Sequence, residues 1–252
     1  MIKKVLVTGA SGLCGSITSQ GLSKLGYKLT LCDIKKISSP AAKSLNISLN
    51  KKIKIIDLRN FSKVKKITKG MDAVVHFGGI PRHKPHEDVF QNIIDHNIIG
   101  TYNVFEACRV NKVKRIIFAS SAHIMGYHDR KKRLDDKSSF RPDSHYAVSK
   151  CFGESLSKLY SDKYNIKILN IRIGSALPKP TDMRFLSTWI SFRDLIQLVN
   201  VGLKSKKLYC SSVYGISKNK RAWWNNKSAY KLGYKPKDNA EKHLRQIITK
   251  NE

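Results

Sequence analysis

Residues 5–15 read VLVTGASGLCG, and the fold follows from how this run is understood. An apolar stretch leads into Thr8-Gly9-Ala10-Ser11-Gly12-Leu13-Cys14-Gly15, a TGxxGxxG spacing. In such a run the first glycine permits a tight turn. The second lets backbone N–H groups approach a pyrophosphate, and the third lets the next helix lie close to the sheet. The segment that follows, as far as Gly26, has helical spacing. An anion would sit at the positive end of that helix. Strand, glycine turn and helix in this order predict a dinucleotide site around Gly9, Gly12 and Gly15.

Outward from this turn the pattern repeats. KLTLCD (28–33), KIKIID (52–57), MDAVVHFGG (71–79), VKRIIFASS (113–121) and IKILNIRIG (166–174) read as further strands. DVFQNIIDHNIIGTYNVFEACRVN (88–111) reads as one long helix, and residues 143–164 as another. Strands alternating with helices predict an α/β fold of the Rossmann type, a doubly wound parallel sheet covered on both faces. The pattern changes after residue 175. Residues 1–175 are expected to form the NAD-binding domain, and residues 176–252 a small C-terminal lobe packed on it as one structural unit. That lobe would hold a loop, a helix at 191–203, a strand at 206–215 and a closing helix at 239–250.

Composition narrows the class. No apolar run reaches the roughly 18 residues of a membrane span, so a soluble protein is expected. The apolar start, MIKKVLVTGA, is too short for a secretory signal and runs into the turn. The cysteines (14, 32, 108, 151, 210) are scattered and never in a CxxC pair, which fits reduced thiols in a cytoplasm. Cys14, within the glycine turn, and Cys151 are read as packing residues. The net charge is +30, with lysine outnumbering arginine threefold. The lysines are spread along the chain and no nucleic-acid motif is present, so nucleic acid is not expected as a partner. A positive field would draw in acidic small molecules.

Asp33 ends the second strand, where a carboxylate accepts hydrogen bonds from the adenosine ribose and repels a 2′-phosphate. This favours NAD over NADP, with Lys35 and Lys36 nearby pulling the other way. Asp57 either contacts the adenine amino group or caps the helix that begins at FSKVKKI (61–67).

HYAVSKCFGES (145–155) places Tyr146 and Lys150 at i, i+4, on one face of a helix. A free phenol, with a pKa near ~10, is a poor base at neutral pH. A cation close by favours the phenolate. Tyr146 would then take a proton from a substrate hydroxyl as hydride leaves the same carbon. Ser121, at the end of the fifth strand, is placed to hydrogen-bond the reacting oxygen. Asn97, polar within an apolar helix, either links Lys150 to water or satisfies neighbouring backbone.

In this order and spacing TGASGLCG, HFGG, Ser121, Tyr146 and Lys150 resemble the extended short-chain dehydrogenase/reductase family, over almost the whole chain. The resemblance implies NAD as cofactor and adds Leu13, Leu58, Phe77, Gly78, Gly79, Lys150 and Ile173 to its contacts. Several stretches are more narrowly similar to the uronate dehydrogenases of that family. They are VVHFGGI, IIGTYNVFEA, RIIFASS, YAVSKCFGE, RIGSALPKPTDMRFLSTWIS and the late AWWNNKS.

That likeness implies oxidation of the C1 hydroxyl of a cyclic hexuronate to a lactone. It implies that Arg184 grips the sugar carboxylate and that Ser121 and Ser175 bond the ring. A guanidinium fork matches a carboxylate bidentately. Phe185 and Trp189 are expected in the core of the lobe. The family also implies a homo-oligomer paired through the two long helices.

The chain departs from the uronate dehydrogenase pattern in places. Ala122 stands where an asparagine is expected, and Pro81 and Arg82 follow GGI. His123 either supplies the lost substrate contact or packs in its loop. His83, His86 and His96 lack carboxylate partners at ligand spacing, so no metal is expected.

A sugar-nucleotide epimerase or dehydratase is the alternative, although only 77 residues follow Ser175 to hold a nucleotide. A non-catalytic NAD-sensing or nucleic-acid-binding protein on the same fold is a third reading, opposed by the intact Ser121, Tyr146 and Lys150.

Overall fold

In β1 (Lys4–Thr8) successive side chains go to opposite sides of a sheet. Val5 and Val7 pack into one apolar cluster and Leu6 into another. The same alternation separates Ile117 from Ile116 and Phe118 in β5 (Arg115–Ser121). A strand buried on both faces has no polar side to spare, which explains the near-continuous apolar runs. The computed structural model describes residues 2–35, 52–81 and 90–249.

The other strands of the sheet are β2 (Lys28–Asp33), β3 (Lys54–Ile55), β4 (Ala73–His76), β6 (Lys167–Ile173) and β9 (Cys210–Gly215). All seven pair in parallel in the order β3-β2-β1-β4-β5-β6-β9. The chain runs outward in one direction from β1 and then in the other from β4. The crevice between β1 and β4 is thus the topological switch point, where open sheets of this kind bind ligands. Two short strands, β7 (Ser175–Ala176) and β8 (Trp189–Ile190), form a separate pair.

One face of the sheet is covered by helices Leu13–Lys24 and Phe192–Lys204, through Leu22, Leu195, Leu198 and Val199. The other is covered by Phe61–Thr68, Gly100–Val110 and His145–Tyr164, through Val64, Val104, Phe105, Leu156 and Tyr160. The doubly wound α/β architecture is the one expected.

Three expectations are revised. The long helix expected at 88–111 is not uniform: α-helix at Phe90–Ile93 passes into a π-helical stretch, Ile94–Ile99, and back to α-helix at Gly100–Val110. The boundary expected at residue 175 falls between neighbouring strands of one sheet, since β9 pairs with β6 along its length. Residues beyond 175 also supply a covering helix, so they complete the sandwich as well as adding to it. The closing helix is shorter than expected: a 3-10 turn at Ala240–His243 precedes a helix at Leu244–Ile248. Phe185 and Trp189 do pack in a small core, with Leu186, Ala240 and Ile247.

Candidate active site

The glycine turn is held by backbone geometry. Gly9 has φ +66°, and a Cβ on it would stand 2.6 Å from the Gly78 amide. A Cβ on Gly15 would collide with the Gly9 carbonyl. Gly12 is the N-cap of helix Leu13–Lys24 and supplies no side chain to it, so first-turn amides remain for an anion.

Beneath the turn lies a buried relay. The Gly78 amide donates to Thr8 Oγ1 at 3.2 Å, Thr8 Oγ1 lies 2.7 Å from His76 Nδ1, and His76 Nε2 lies 3.1 Å from Thr101 Oγ1. Burial, with the charge of Lys150 adding to it, pulls the His76 pKa down to about 3. The ring is therefore neutral, and fits the chain with Nδ1 accepting and Nε2 donating.

The turn opens onto a cleft of about 720 Å³. Gly9, Gly12, Asp33, Asp57, Leu58, Phe77, Gly78 and Gly79 all line it. Leu13, Gly15 and Ile173 are not on its wall: Gly15 is buried against Gly9, and Ile173 packs on the main core.

Asp33 is fixed at the mouth by the Ser11 and Ile34 amides, at 2.9 and 2.7 Å. Asp57 does not cap the next helix; Asn60 does, accepting from the Lys63 amide at 3.0 Å. Asp57 instead pairs with Arg59 at 2.7 Å, and that partner lowers its pKa. Lys35 lines the cleft, while Lys36 lies outside the described residues.

Asn97 sits in the π-helical stretch and is buried. Its Oδ1 accepts the Ile80 amide at 2.7 Å, and its Nδ2 donates to the Ile80 carbonyl at 3.0 Å and to Ser149 Oγ at 3.2 Å. These bonds satisfy neighbouring backbone at Ile80. The π turn explains the placement, since one extra residue per turn swings a polar side chain inward to Ile80, in the loop that follows β4.

Tyr146 and Lys150 lie one turn apart on helix His145–Tyr164, whose N-cap Ser144 accepts from the Ala147 amide. Lys150 Nζ is 5.5 Å from the centre of the Tyr146 ring and 5.1 Å from that of Phe118. A Cβ on Gly153 would strike Phe118, so this glycine lets the helix press onto β5.

The balance of charge differs from the expectation. Burial pushes the Tyr146 phenol up to about 12, against a hydrogen bond from Ser121 that lowers it. Burial also draws Lys150 down to about 8. In the protein alone desolvation outweighs the Ser121 hydrogen bond, and the phenol is not poised as an anion. Burial likewise raises the Cys14 and Cys151 thiols to about 11, which leaves them protonated and suited to packing.

A second cavity measures about 260 Å³. It brings together His123, Ser175 and Arg184 from three separate parts of the chain. Ser175 Oγ is 3.0 Å from Thr188 Oγ1. Arg184 is exposed, its guanidinium 5.1 Å from the centre of the Phe185 ring. His123 packs edge-on to Tyr146, and its Nδ1 lies 2.7 Å from Asp143 Oδ2, leaving Nε2 as the ring's other polar atom.

Ser121, buried below, accepts from the His123 amide at 3.2 Å. Ala122 lines the cavity without a polar group, as its sequence predicts. Pro81 ends a described segment; Arg82, His83 and His86 lie outside the described residues. His96, the third histidine of that group, lines the cofactor cleft. No cluster of three or more metal-ligating side chains occurs among the described residues.

Sequence reasoning missed several members of this site. Asp143, Thr188, Arg130, Trp223 and Trp224 also line the smaller cavity. Trp224 Nε1 is buried without an acceptor among the described residues, a donor available to a bound hydroxyl. Glu154, on the buried face of helix His145–Tyr164, is bonded to Ser120 at 2.6 Å, to Ser212 at 2.8 Å and to Arg172 at 3.0 and 2.9 Å. Its i+4 spacing from Lys150 was the available signal.

Comparison with known proteins identifies a family. Residues 5–191 match the NAD dependent epimerase/dehydratase family. The chain is similar to a uronate dehydrogenase of Pseudomonas putida, 40% identical over 238 residues, covering 94% of this chain and 85% of the relative. It is also similar to one of Agrobacterium fabrum, 40% identical over 246 residues, covering 98% and 89%. A crystal structure of an Agrobacterium tumefaciens uronate dehydrogenase, a tyrosine-to-alanine variant complexed with NAD, superposes with a TM-score of 0.88 at 38% identity, covering 99% of this chain and 90% of that one.

Proposed function

The chain belongs to the NAD-dependent epimerase/dehydratase family, and from that premise we propose that it is an NAD-dependent dehydrogenase that oxidises the C1 hydroxyl of a hexuronate or related sugar acid to its lactone. The observation that carries this reading is the meeting of Arg184, Ser175 and His123 in one small cavity beside Tyr146. The residues of the larger cleft fit NAD, since the uncapped first-turn amides beyond Gly12 suit a pyrophosphate and Asp33 stands on the same wall.

In the proposed reaction Gly9, Gly12 and the first-turn amides hold the pyrophosphate, and Asp33 accepts from the ribose hydroxyls. NAD, when bound, supplies the hydride acceptor and, in its oxidised form, a positive charge. Arg184 fixes the carboxylate end of the sugar, and Ser175 and His123 bond the ring. Ser121 holds the reacting oxygen beside Tyr146. Tyr146 takes the hydroxyl proton as the carbon gives up hydride, and a C1 carbonyl results. Lys150 supports the phenolate that this transfer needs. Positioning of both sugar ends could lower the barrier by several kcal/mol.

The five cysteines are free, which supports a reducing compartment such as the cytoplasm. No described helix is long and apolar enough to cross a membrane. Exposed Phe90, Ile99 and Tyr102 on one long helix, and Val148, Leu159 and Tyr164 on the other, support pairing of these helices between subunits.

A screen of free hexuronates, neutral hexoses and UDP-sugars with NAD tests the reading. Net NADH with the hexuronates is expected. Turnover of UDP-sugars alone, without net NADH, would instead favour the epimerase reading.

A further inference from the structure

The lysines that look dispersed in the sequence converge at the end of the sheet opposite the cofactor. There a cavity of about 1180 Å³ is lined by Lys3, Lys28, Lys114, Lys167, Lys204 and Lys206, with Arg115, and by no acidic residue. The strand register forces this crowding. Arg115 pairs with Lys167 in the β5–β6 ladder, the Lys167 amide donates to the Lys114 carbonyl, and the Lys28 amide donates to the Lys3 carbonyl. Like charges held side by side on neighbouring strands repel. Asp72 shares this edge, but its Oδ2 is taken by the Lys3 and Lys4 amides. None of the seven basic residues stands in an ion pair among the described residues.

Arg115 is the decisive member. It is only 8% exposed. Among the described residues its guanidinium has one acceptor, the Gly202 carbonyl at 2.7 Å. Burial lowers its pKa. A buried guanidinium without a carboxylate is costly to the fold, and its planar fork suits phosphate oxygens. The lysines around it add flexible point charges, and Leu25, Tyr27 and Leu203 complete the wall.

We infer that this cavity is an anion site for a compact soluble molecule carrying two or more phosphate groups. Seven cations around one concavity call for several negative charges on one ligand. They ring a hollow instead of forming the extended stripe that a nucleic-acid backbone needs. The site lies at the N-terminal ends of the strands, so its occupant leaves the cofactor cleft free. The inference stands independently of the proposed oxidation.

The test is calorimetric titration with inorganic tripolyphosphate at fixed ionic strength, with NAD saturating so that its cleft is filled. Saturable binding near one per chain is expected. It should weaken at least tenfold in the triple variant Lys114→Ala, Lys167→Ala, Lys204→Ala, with NAD binding unchanged. These exposed or half-exposed positions spare the buried Arg115. The inference is overturned by an absence of saturable binding, by equal affinity in the variant, or by a short single-stranded DNA binding tighter than tripolyphosphate and losing affinity in the same variant.

Discussion

Lys150 lies one helical turn beyond Tyr146, its ammonium 5.5 Å from the centre of the phenol ring. Both groups are shifted by burial, the phenol up to about 12 and the ammonium down to about 8. The base form of Tyr146 therefore grows as pH rises toward neutrality and beyond. Lys150 begins to lose its supporting charge near 8. With NAD saturating, kcat/KM for the sugar should climb between about pH 6 and 8 and bend over above that. A profile flat across this window would count against the assignment.

The same lysine links pH to stability. Its folded pKa lies below the unfolded value, so between about pH 8 and ~10.5 the unfolded chain binds more protons. Stability contributed by this group therefore rises with pH through that window. At neutral pH the buried charge costs about 3 kcal/mol at most. Lys150→Met should leave Tm at pH 7 equal or higher while turnover collapses. The stability gap between variant and wild type should shrink by pH 10.

Asn97→Leu removes both hydrogen bonds that clamp Ile80 and leaves a buried amide without a partner. A stability loss of about 1–3 kcal/mol is expected. Because Ile80 adjoins Gly79 on the wall of the cofactor cleft, KM for NAD should rise more than KM for the sugar. Denaturant unfolding and steady-state kinetics read the two effects separately.

The doubly wound sheet was legible because each strand–turn–helix unit carries its own local signal: a short apolar run, glycines and caps. The π-helical stretch was not, since Asn97 turns inward for a backbone partner at Ile80 that periodicity cannot reveal. The end of the Rossmann sheet was misplaced for a similar reason, because pairing of β9 with β6 is a long-range choice. Tyr146 and Lys150 could be read from an i, i+4 spacing. Asp143 and Trp224 could not, as they reach the small cavity only through tertiary packing. The basic cavity is the extreme case, built by strand register from lysines far apart in the chain.

Glu154 accepts from Arg172 through both oxygens, and both side chains are buried. Glu154→Ala strands a buried guanidinium and should cost about 3–5 kcal/mol. The double variant Glu154→Leu, Arg172→Leu should recover much of that loss. Urea midpoints of the three proteins check this, and a double variant no more stable than Glu154→Ala would oppose it.

Asp33 holds its place at the cleft mouth through two backbone amides, with Lys35 alongside. Replacing the carboxylate by Asp33→Ser removes the repulsion of a 2′-phosphate and keeps a small polar side chain. The ratio of kcat/KM for NADP over NAD should rise by at least tenfold.

The most direct measurement compares wild type with Arg184→Met on galacturonate and on galactose, which lacks the carboxylate, with NAD saturating. A charge-assisted bidentate contact is worth about 1.5–3 kcal/mol. The variant should therefore lose roughly 10- to 100-fold in kcat/KM on galacturonate, with little change on galactose or in KM for NAD. Equal losses on both sugars, or no loss on the acid, would contradict the grip of Arg184 on a sugar carboxylate.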